Sequence, residues 1–181
     1  GARAVWEKTN GRAKVVIPKK EAYLLRDREA HLMDYEQLQG KFLDAKTQER
    51  HKGILLRDIG EGLNPTIEVV DGDQLTLGDN VSLTVVETPG HSLGSVTFIL
   101  NGLNYAFAAD AVQMYGGAKS GIPAIENPTL YRRSIKRLLE EIRPTRLYLG
   151  HYFRGGSGEI FGAQIEGEDV QVVLQASLDM D

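Results

Sequence analysis

Two consecutive segments in the middle of the chain constrain its fold more than any other feature of the sequence. In residues 75–85, apolar side chains alternate with polar ones on both sides of the turn sequence GDN. Residues 96–109 contain two runs of apolar, strand-forming residues separated by an Asn-Gly turn. Turn residues between two such runs are typical of a β-hairpin. The middle of the chain is therefore predicted to form two hairpins.

The segments on either side of the hairpins mix helices with short strands. Asparagine followed by proline at 127–128 predicts the start of a helix with one apolar stripe, which Pro144 ends. The other predicted elements are the end of a helix at 1–9, a strand at 13–18, one or two surface helices at 19–52 with a break at Gly40, a strand at 146–149, a helix at 167–178, and loops at 113–127 and 154–158. This order predicts an α/β fold, with layers of helices and strands, in a single domain over residues 1–181.

Composition narrows the classes of partner. The 181 residues carry a formal net charge of -4, which argues against nucleic acid because its binding proteins present a basic face. The apolar runs are shorter than the roughly 20 residues that cross a bilayer, so no membrane partner is expected. The chain has no cysteine, which excludes disulfides and thiolate ligands and fits a cytoplasmic location. We expect the partner to be a small-molecule substrate.

The stretch GHSLG at residues 90–94 can be interpreted in two ways. It matches G-x-S-x-G, in which a turn between a strand and a helix presents a serine nucleophile, here Ser92. The chain order Ser92, Asp110, His151 also fits a catalytic triad. The residues that follow Ser92 are β-branched and aromatic, however, and predict a strand where the motif requires a helix. A serine hydrolase that uses Ser92 is therefore the alternative hypothesis.

The second interpretation makes the neighbouring histidine a metal ligand. His91, Asp110 and His151 each follow a predicted strand. If these strands run in compatible directions, the three side chains lie along one edge of the fold. Two neutral imidazoles and a carboxylate suit zinc, iron or manganese. Asp110 is also the candidate catalytic residue, since a carboxylate can bridge two metals and orient the attacking nucleophile. Taken singly, a buried histidine is more often a hydrogen-bonded core residue than a ligand, and Asp110 alone also fits a helix or turn cap.

Three short motifs resemble those of the metallo-β-lactamase superfamily. TPGHSLGS at residues 88–95 is similar to the family's third metal motif, T-P-G-H-(T/S)-x-G-S. FAADA at 107–111 is similar to the fourth, with Ala109 in place of the usual glycine, and LYLGH at 147–151 is similar to the fifth. The resemblance covers most of the chain from Ile67 onward, and residues 88–95 are its most specific part.

The resemblance implies an αββα sandwich with a one- or two-metal site between the sheet edges. Carried over by position, it implies that His91 ligates the first metal, that Asp110 bridges both, and that His151 ligates the second. It also implies a hydrolase that acts on an ester-, thioester- or lactone-like substrate. Its nucleophile would be a metal-bound hydroxide, because a metal lowers the pKa of water from 15.7 to about 7.

The resemblance also suggests where a substrate would bind. In the family, the loop after the fourth motif often shapes the substrate pocket. Gln113, Met114 and Tyr115 are therefore candidate pocket residues, although such residues more often belong to an ordinary surface loop.

One motif of the family, H-x-H-x-D-H, has no counterpart in the chain. The other histidines, His31 and His51, lie in charged helical segments, and we expect both to be exposed. Residues 1–18 are similar to the family segment that follows this motif, so we expect an N-terminally truncated domain. Three ligands should hold metal poorly, since a hydrolytic zinc site uses about three protein ligands per metal.

The expected truncation has a second consequence. Loss of the preceding strands would expose an apolar sheet face and an edge, which favours pairing with another copy. We therefore predict a homodimer or a larger homo-oligomer. A non-catalytic half-domain that serves as a binding or assembly module is a further alternative hypothesis.

Overall fold

The helices and strands follow one another in the predicted α/β order. The computed structural model describes residues 2–38, 40–113, 125–154 and 160–179. The helices are α1 (Ala2–Lys8), α2 (Ala22–Arg26), α3 (Arg28–Leu38), α4 (Ala45–Asp58), α5 (Pro128–Lys136), which continues as a π-helix (Arg137–Ile142), and α6 (Asp169–Leu178). The strands are β1 (Val16–Pro18), β2 (Ile67–Val69), β3 (Gln74–Gly78), β4 (Val81–Glu87), β5 (Val96–Leu100), β6 (Tyr105–Ala109), β7 (Arg146–Arg154) and β8 (Ile160–Glu166).

The chain divides into two compact units, the first ending at Val69 and the second beginning at Val70. The prediction of a single domain over residues 1–181 stays a prediction. The first unit contains α1 to α4 and the parallel pair β1–β2. Of the residues described, none belongs to a helix that is long and apolar enough to cross a membrane.

The charged segment of the first unit is helical, as predicted. Gly40 lies in a 3-10 turn (Gly40–Phe42) between α3 and α4. Helix α4 begins at an aspartate cap, in which the Thr47 N–H donates to Asp44 Oδ1 at 3.0 Å. It continues to Asp58, six residues beyond the predicted end, because residues 54–58 are mostly leucine and arginine, which are strong helix formers.

The second unit is built on one sheet with the strand order β3-β4-β5-β6-β7-β8. Both predicted hairpins are confirmed as the antiparallel pairs β3–β4 and β5–β6. Strands β4 and β5 are also antiparallel, so β3 to β6 form a meander. Strand β7 then pairs with β6 in parallel, and β8 closes the sheet antiparallel to β7.

Two strands of this sheet differ from the sequence prediction. Strand β7 extends to Arg154 instead of ending at residue 149, and β8 was not predicted. Strand β8 was not predicted because Gly162, which has a φ of 82°, interrupts the alternation that marks a strand. Strand β8 is stabilised instead by its pairing with β7. Ile165 lies opposite Leu147, and both are fully or almost fully buried.

Helices α5 and α6 cover one face of the sheet. The apolar stripe predicted for α5 places Ile135 and Leu138 in the core, where they are fully buried with Ala106 and Leu147 of the sheet. The predicted single α-helix is wrong at its end, where residues 137–142 form a π-helix. Arg143 ends it in a left-handed conformation with a φ of 50°. The core therefore packs against β6 and β7 from this face, and these two strands position Asp110 and His151.

Candidate metal centre

The structure brings His91, Asp110 and His151 together at one edge of the sheet. His91 lies in the turn after β4, and Asp110 directly follows β6. His151 was predicted to follow a strand, but it lies within β7. It still reaches the edge because the pairing of β7 with β6 ends at Leu149. Their role as metal ligands stays a prediction.

Asp110 is the centre of this cluster. Its Oδ2 lies 3.9 Å from His91 Nε2, and its Oδ1 lies 3.6 Å from His151 Nε2. The carboxylate thus presents one oxygen to each imidazole. The side chains of His91 and Asp110 are each 34% exposed, whereas that of His151 is 79% exposed. The site is therefore open on the side of His151.

The backbone around Asp110 is unusual in two places. Ala109 has a φ of 45°, and the pairing of β6 with β7 shifts between Phe107 and Ala109. This bulge turns the chain so that Asp110 points toward the histidines. Across from it, a Cβ on residue 150 would overlap Asp110 Oδ1, so any residue other than glycine would displace the carboxylate from its present position. Asp110 Oδ1 is buried and accepts no hydrogen bond from any residue in the described part of the chain.

The turn that carries His91 is held against the start of α5. A Cβ on Gly90 would lie 2.5 Å from Tyr131 Cα, so this position also requires glycine. The Asn127 N–H donates to Gly90 O at 3.0 Å, and Ser134 Oγ donates to Pro89 O at 2.8 Å. The backbone that carries His91 is thus held in place by hydrogen bonds to both residues that precede it.

Ser92 lacks the surroundings that a serine nucleophile needs. Its Oγ shares a hydrogen bond with Ser95 Oγ at 2.9 Å. Strand β5 begins one residue after Ser95, so the turn leads into a strand where the G-x-S-x-G motif requires a helix. Ser92 instead helps to shape the turn beside His91.

Of the three candidate pocket residues, the structure describes one. Gln113 is half-buried, and its Nε2 donates to Asp110 O at 2.9 Å. Its backbone N–H donates to Tyr131 Oη at 2.8 Å. Met114 and Tyr115 lie outside the described residues. Gln113 is therefore tied to the Asp110 turn, and its contact with a substrate stays a prediction.

The remaining histidines lie in the first unit. His31 and His51 are half-buried, not fully exposed as predicted. His51 lies close to the aromatic ring of Tyr35, and its Nδ1 shares a hydrogen bond with Tyr35 Oη at 3.0 Å. This contact between α3 and α4 partly buries His51, whereas the charged composition of the two helices had predicted an exposed side chain.

The donor groups at the sheet edge fit a metal in their chemistry and their pairwise spacing. Two donors at about 2.1 Å from a tetrahedral zinc ion lie about 3.4 Å apart, close to the 3.6 Å and 3.9 Å measured at Asp110. Among the described residues, however, no three His, Cys, Asp or Glu side chains form one group able to hold an ion. The arrangement is two histidine–carboxylate pairs that share Asp110, with each imidazole beside a different carboxylate oxygen.

The chain belongs to the metallo-β-lactamase superfamily, whose family model matches residues 4–151. It is 34% identical over 86 residues to a hydroxyacylglutathione hydrolase from Chelativorans sp. (strain BNC1), covering 48% of this chain and 32% of that protein. It is 28% identical over 94 residues to the mitochondrial persulfide dioxygenase ETHE1 of Homo sapiens, covering 52% and 37%. The chain thus spans about a third of the length of these curated relatives.

Solved structures show the same fold. A metallo-β-lactamase superfamily protein from Sulfolobus tokodaii matches 98% of this chain and 61% of its own, with a TM-score of 0.64 at 16% identity. One from Thermus thermophilus matches 94% and 53%, with a TM-score of 0.59 at 19% identity. The predicted α/β class and the metallo-β-lactamase fold are confirmed.

Proposed function

We propose that this chain carries part of the active site of a metal-dependent hydrolase that acts on an ester-, thioester- or lactone-like substrate. The observation that carries the proposal is Asp110, which presents a different oxygen to each of two histidines. The name hydroxyacylglutathione hydrolase, borne by relatives that match about half of this chain, supports hydrolysis as the reaction class.

In this proposal the chain's own residues hold and orient the metal. His91 and His151 each offer Nε2, and Asp110 lies between them as the shared ligand. Zinc is the expected ion, and iron or manganese suits the same donors. When bound, the metal would activate water for attack on a carbonyl. Asp110 keeps its orientation because Gln113 holds its backbone carbonyl on one side and Gly150 lies against its side chain on the other.

Metal binding is the first test. Asp110→Asn, His91→Ala and His151→Ala should each weaken zinc binding to the full 181-residue chain by at least about tenfold, the lower end of what ligand-shell changes cost. Asp110→Asn should have the largest effect because it alters both pairs. Calorimetric titration of metal-free protein with zinc measures this directly.

The control for these variants is His31→Ala, which removes a histidine from the first unit. Zinc affinity unchanged by Asp110→Asn or His91→Ala would contradict the proposal. If the unsubstituted chain binds no zinc and turns over no ester, thioester or lactone, the non-catalytic binding module becomes the better hypothesis. Labelling of Ser92 by a fluorophosphonate probe, insensitive to chelators, would favour the serine alternative.

A further inference from the structure

Tyr131 lies between the two turns that carry His91 and Asp110. It belongs to the first part of α5 and is 2% exposed. Its backbone is packed against Gly90, where no Cβ could be accommodated. Its side chain reaches the other way, toward the segment that follows Asp110. One residue therefore contacts the supports of both candidate ligands.

The hydroxyl group of Tyr131 makes two hydrogen bonds to a single residue of the Asp110 turn. It accepts a hydrogen bond from the Gln113 N–H at 2.8 Å and donates to Gln113 O at 3.1 Å. Ser177 of α6 adds a second donor to Gln113 O at 3.0 Å. The Gln113 N–H is thus held by Tyr131, whereas its carbonyl has two donors. Removal of the Tyr131 hydroxyl would therefore take away the acceptor of a backbone amide, which a folded protein tolerates poorly.

The backbone of Tyr131 is linked to the His91 turn through the two residues that precede α5, because the Tyr131 N–H donates to Asn127 O at 2.9 Å. The Asn127 N–H donates to Gly90 O at 3.0 Å, and the Glu126 N–H donates to His91 O at 3.4 Å. The start of α5 is therefore attached to the backbone of His91 itself. Tyr131 thus lies between the backbones of the two turns, whose side-chain atoms His91 Nε2 and Asp110 Oδ2 are 3.9 Å apart.

The chemistry of the phenol fits a structural role. Burial raises the pKa of Tyr131 to about 12, so the hydroxyl stays protonated throughout the neutral range and keeps both hydrogen bonds. It faces backbone groups and not the open side of the site.

We propose that Tyr131 is a positioning residue that sets the distance between the His91 and Asp110 ligands and thereby the metal affinity of the site. This inference rests on the proposed metal site. The Tyr131 clamp, meaning its two hydrogen bonds to Gln113 and its contact with Gly90, is nevertheless present in the metal-free protein.

Tyr131→Phe keeps the aromatic ring and removes only the hydroxyl group that bonds to Gln113. We expect the dissociation constant for Co²⁺ to rise about tenfold, the lower end of the effect of groups that orient metal ligands, and the visible absorption spectrum of the bound Co²⁺ to change. Thr145→Val is the matched control, because it removes a hydroxyl that donates to a main-chain carbonyl, Leu103 O, at 2.9 Å but is not attached to either ligand turn. Unchanged Co²⁺ affinity and spectrum in Tyr131→Phe would overturn the proposal.

A second measurement needs neither metal nor a folded variant. In the unsubstituted, metal-free chain, the Gln113 amide should exchange with solvent at least about a hundredfold more slowly than an unstructured amide. Rapid exchange at Gln113 would overturn the clamp whatever the metal data show. If the unsubstituted chain binds no Co²⁺, the proposed function fails, and slow exchange together with shifted Gly90 and His91 amide resonances in Tyr131→Phe would still support the clamp.

Discussion

At the scale of single residues, the site depends on backbone positions that do no chemistry. Gly150 leaves room for Asp110 Oδ1, and Ala109 adopts a left-handed φ of 45° immediately before Asp110. A residue with a Cβ is strained in that conformation by about 1–2 kcal/mol. The glycine that the family motif usually has at this position would relieve the strain. Ala109, which departs from the family motif in the sequence, is therefore also a strained position in the structure.

Ala109→Gly should raise the free energy of unfolding by up to about 1.5 kcal/mol. Relief of the left-handed strain contributes about 1–2 kcal/mol, and the greater flexibility of glycine in the unfolded chain offsets about 0.5–1 kcal/mol of it. Urea unfolding followed by circular dichroism measures the difference. Ala106→Gly, at a buried strand position outside the left-handed region, is the matched control and should lower stability instead. A loss of stability in Ala109→Gly would show that the conformation is not strained.

At the scale of elements, the start of α5 is the part of the structure that serves both fold and site. Asn127 Oδ1 accepts the Leu130 N–H at 3.0 Å, so the predicted cap is confirmed. The backbone N–H groups of this cap residue and of Glu126 before it donate hydrogen bonds to Gly90 O and His91 O. The stability of this helix end and the position of the His91 turn are therefore coupled.

Asn127→Ala should lower the free energy of unfolding by about 1 kcal/mol, the usual value of an asparagine cap. Asp44→Ala provides the comparison, since Asp44 caps α4 in the same way and accepts the Thr47 N–H at 3.0 Å. Both variants should lose stability, but only Asn127→Ala should shift the amide resonance of His91 in a heteronuclear NMR spectrum. Equal shifts at His91 in the two variants would contradict the coupling.

The sequence predicted the elements whose signals are local. Hairpin turns, the Asn127-Pro128 helix start and the strands before His91 and Asp110 each depend on neighbouring residues, and the structure confirms them. Strand β8 was missed because it depends on pairing with β7, and the π-helix because its sequence is an ordinary helical one. Tyr131 and Gly150 were missed for the same reason, since their roles depend on Gln113, Gly90 and Asp110, which are distant in the chain.

At the scale of the whole molecule, the sheet of the second unit has one face that α5 and α6 do not cover. Aromatic side chains line part of it, and Phe107 stacks on Tyr148 with ring centroids 4.7 Å apart. Phe107 is 39% exposed. Arg146 lies over the Tyr105 ring at 4.7 Å beside this pair. An aromatic surface of this kind is typical of a region that packs against another protein surface.

We propose that this face pairs with the same face of a second copy. The chain should then have the mass of a dimer by light scattering at micromolar concentration, and Phe107→Lys should shift it toward the monomer because a charge would be buried at the contact. Val172→Lys is the control, since Val172 is 50% exposed on α6, which covers the other face. A monomer at every concentration would contradict the proposal.

Because β6 pairs with β7 in parallel, we expect His151 to join His91 and Asp110 late in folding. His91 and Asp110 belong to a meander of adjacent antiparallel strands, which closes through short turns. His151 arrives only when the long connection through α5 has closed, and such non-local parallel pairing is slow. In pulsed hydrogen-exchange labelling during refolding, amides of β5 and β6 should gain protection before those of β7, and simultaneous protection would contradict this order. The chain would then pass through a state in which Asp110 already lies beside His91 but His151 has not yet reached the cluster.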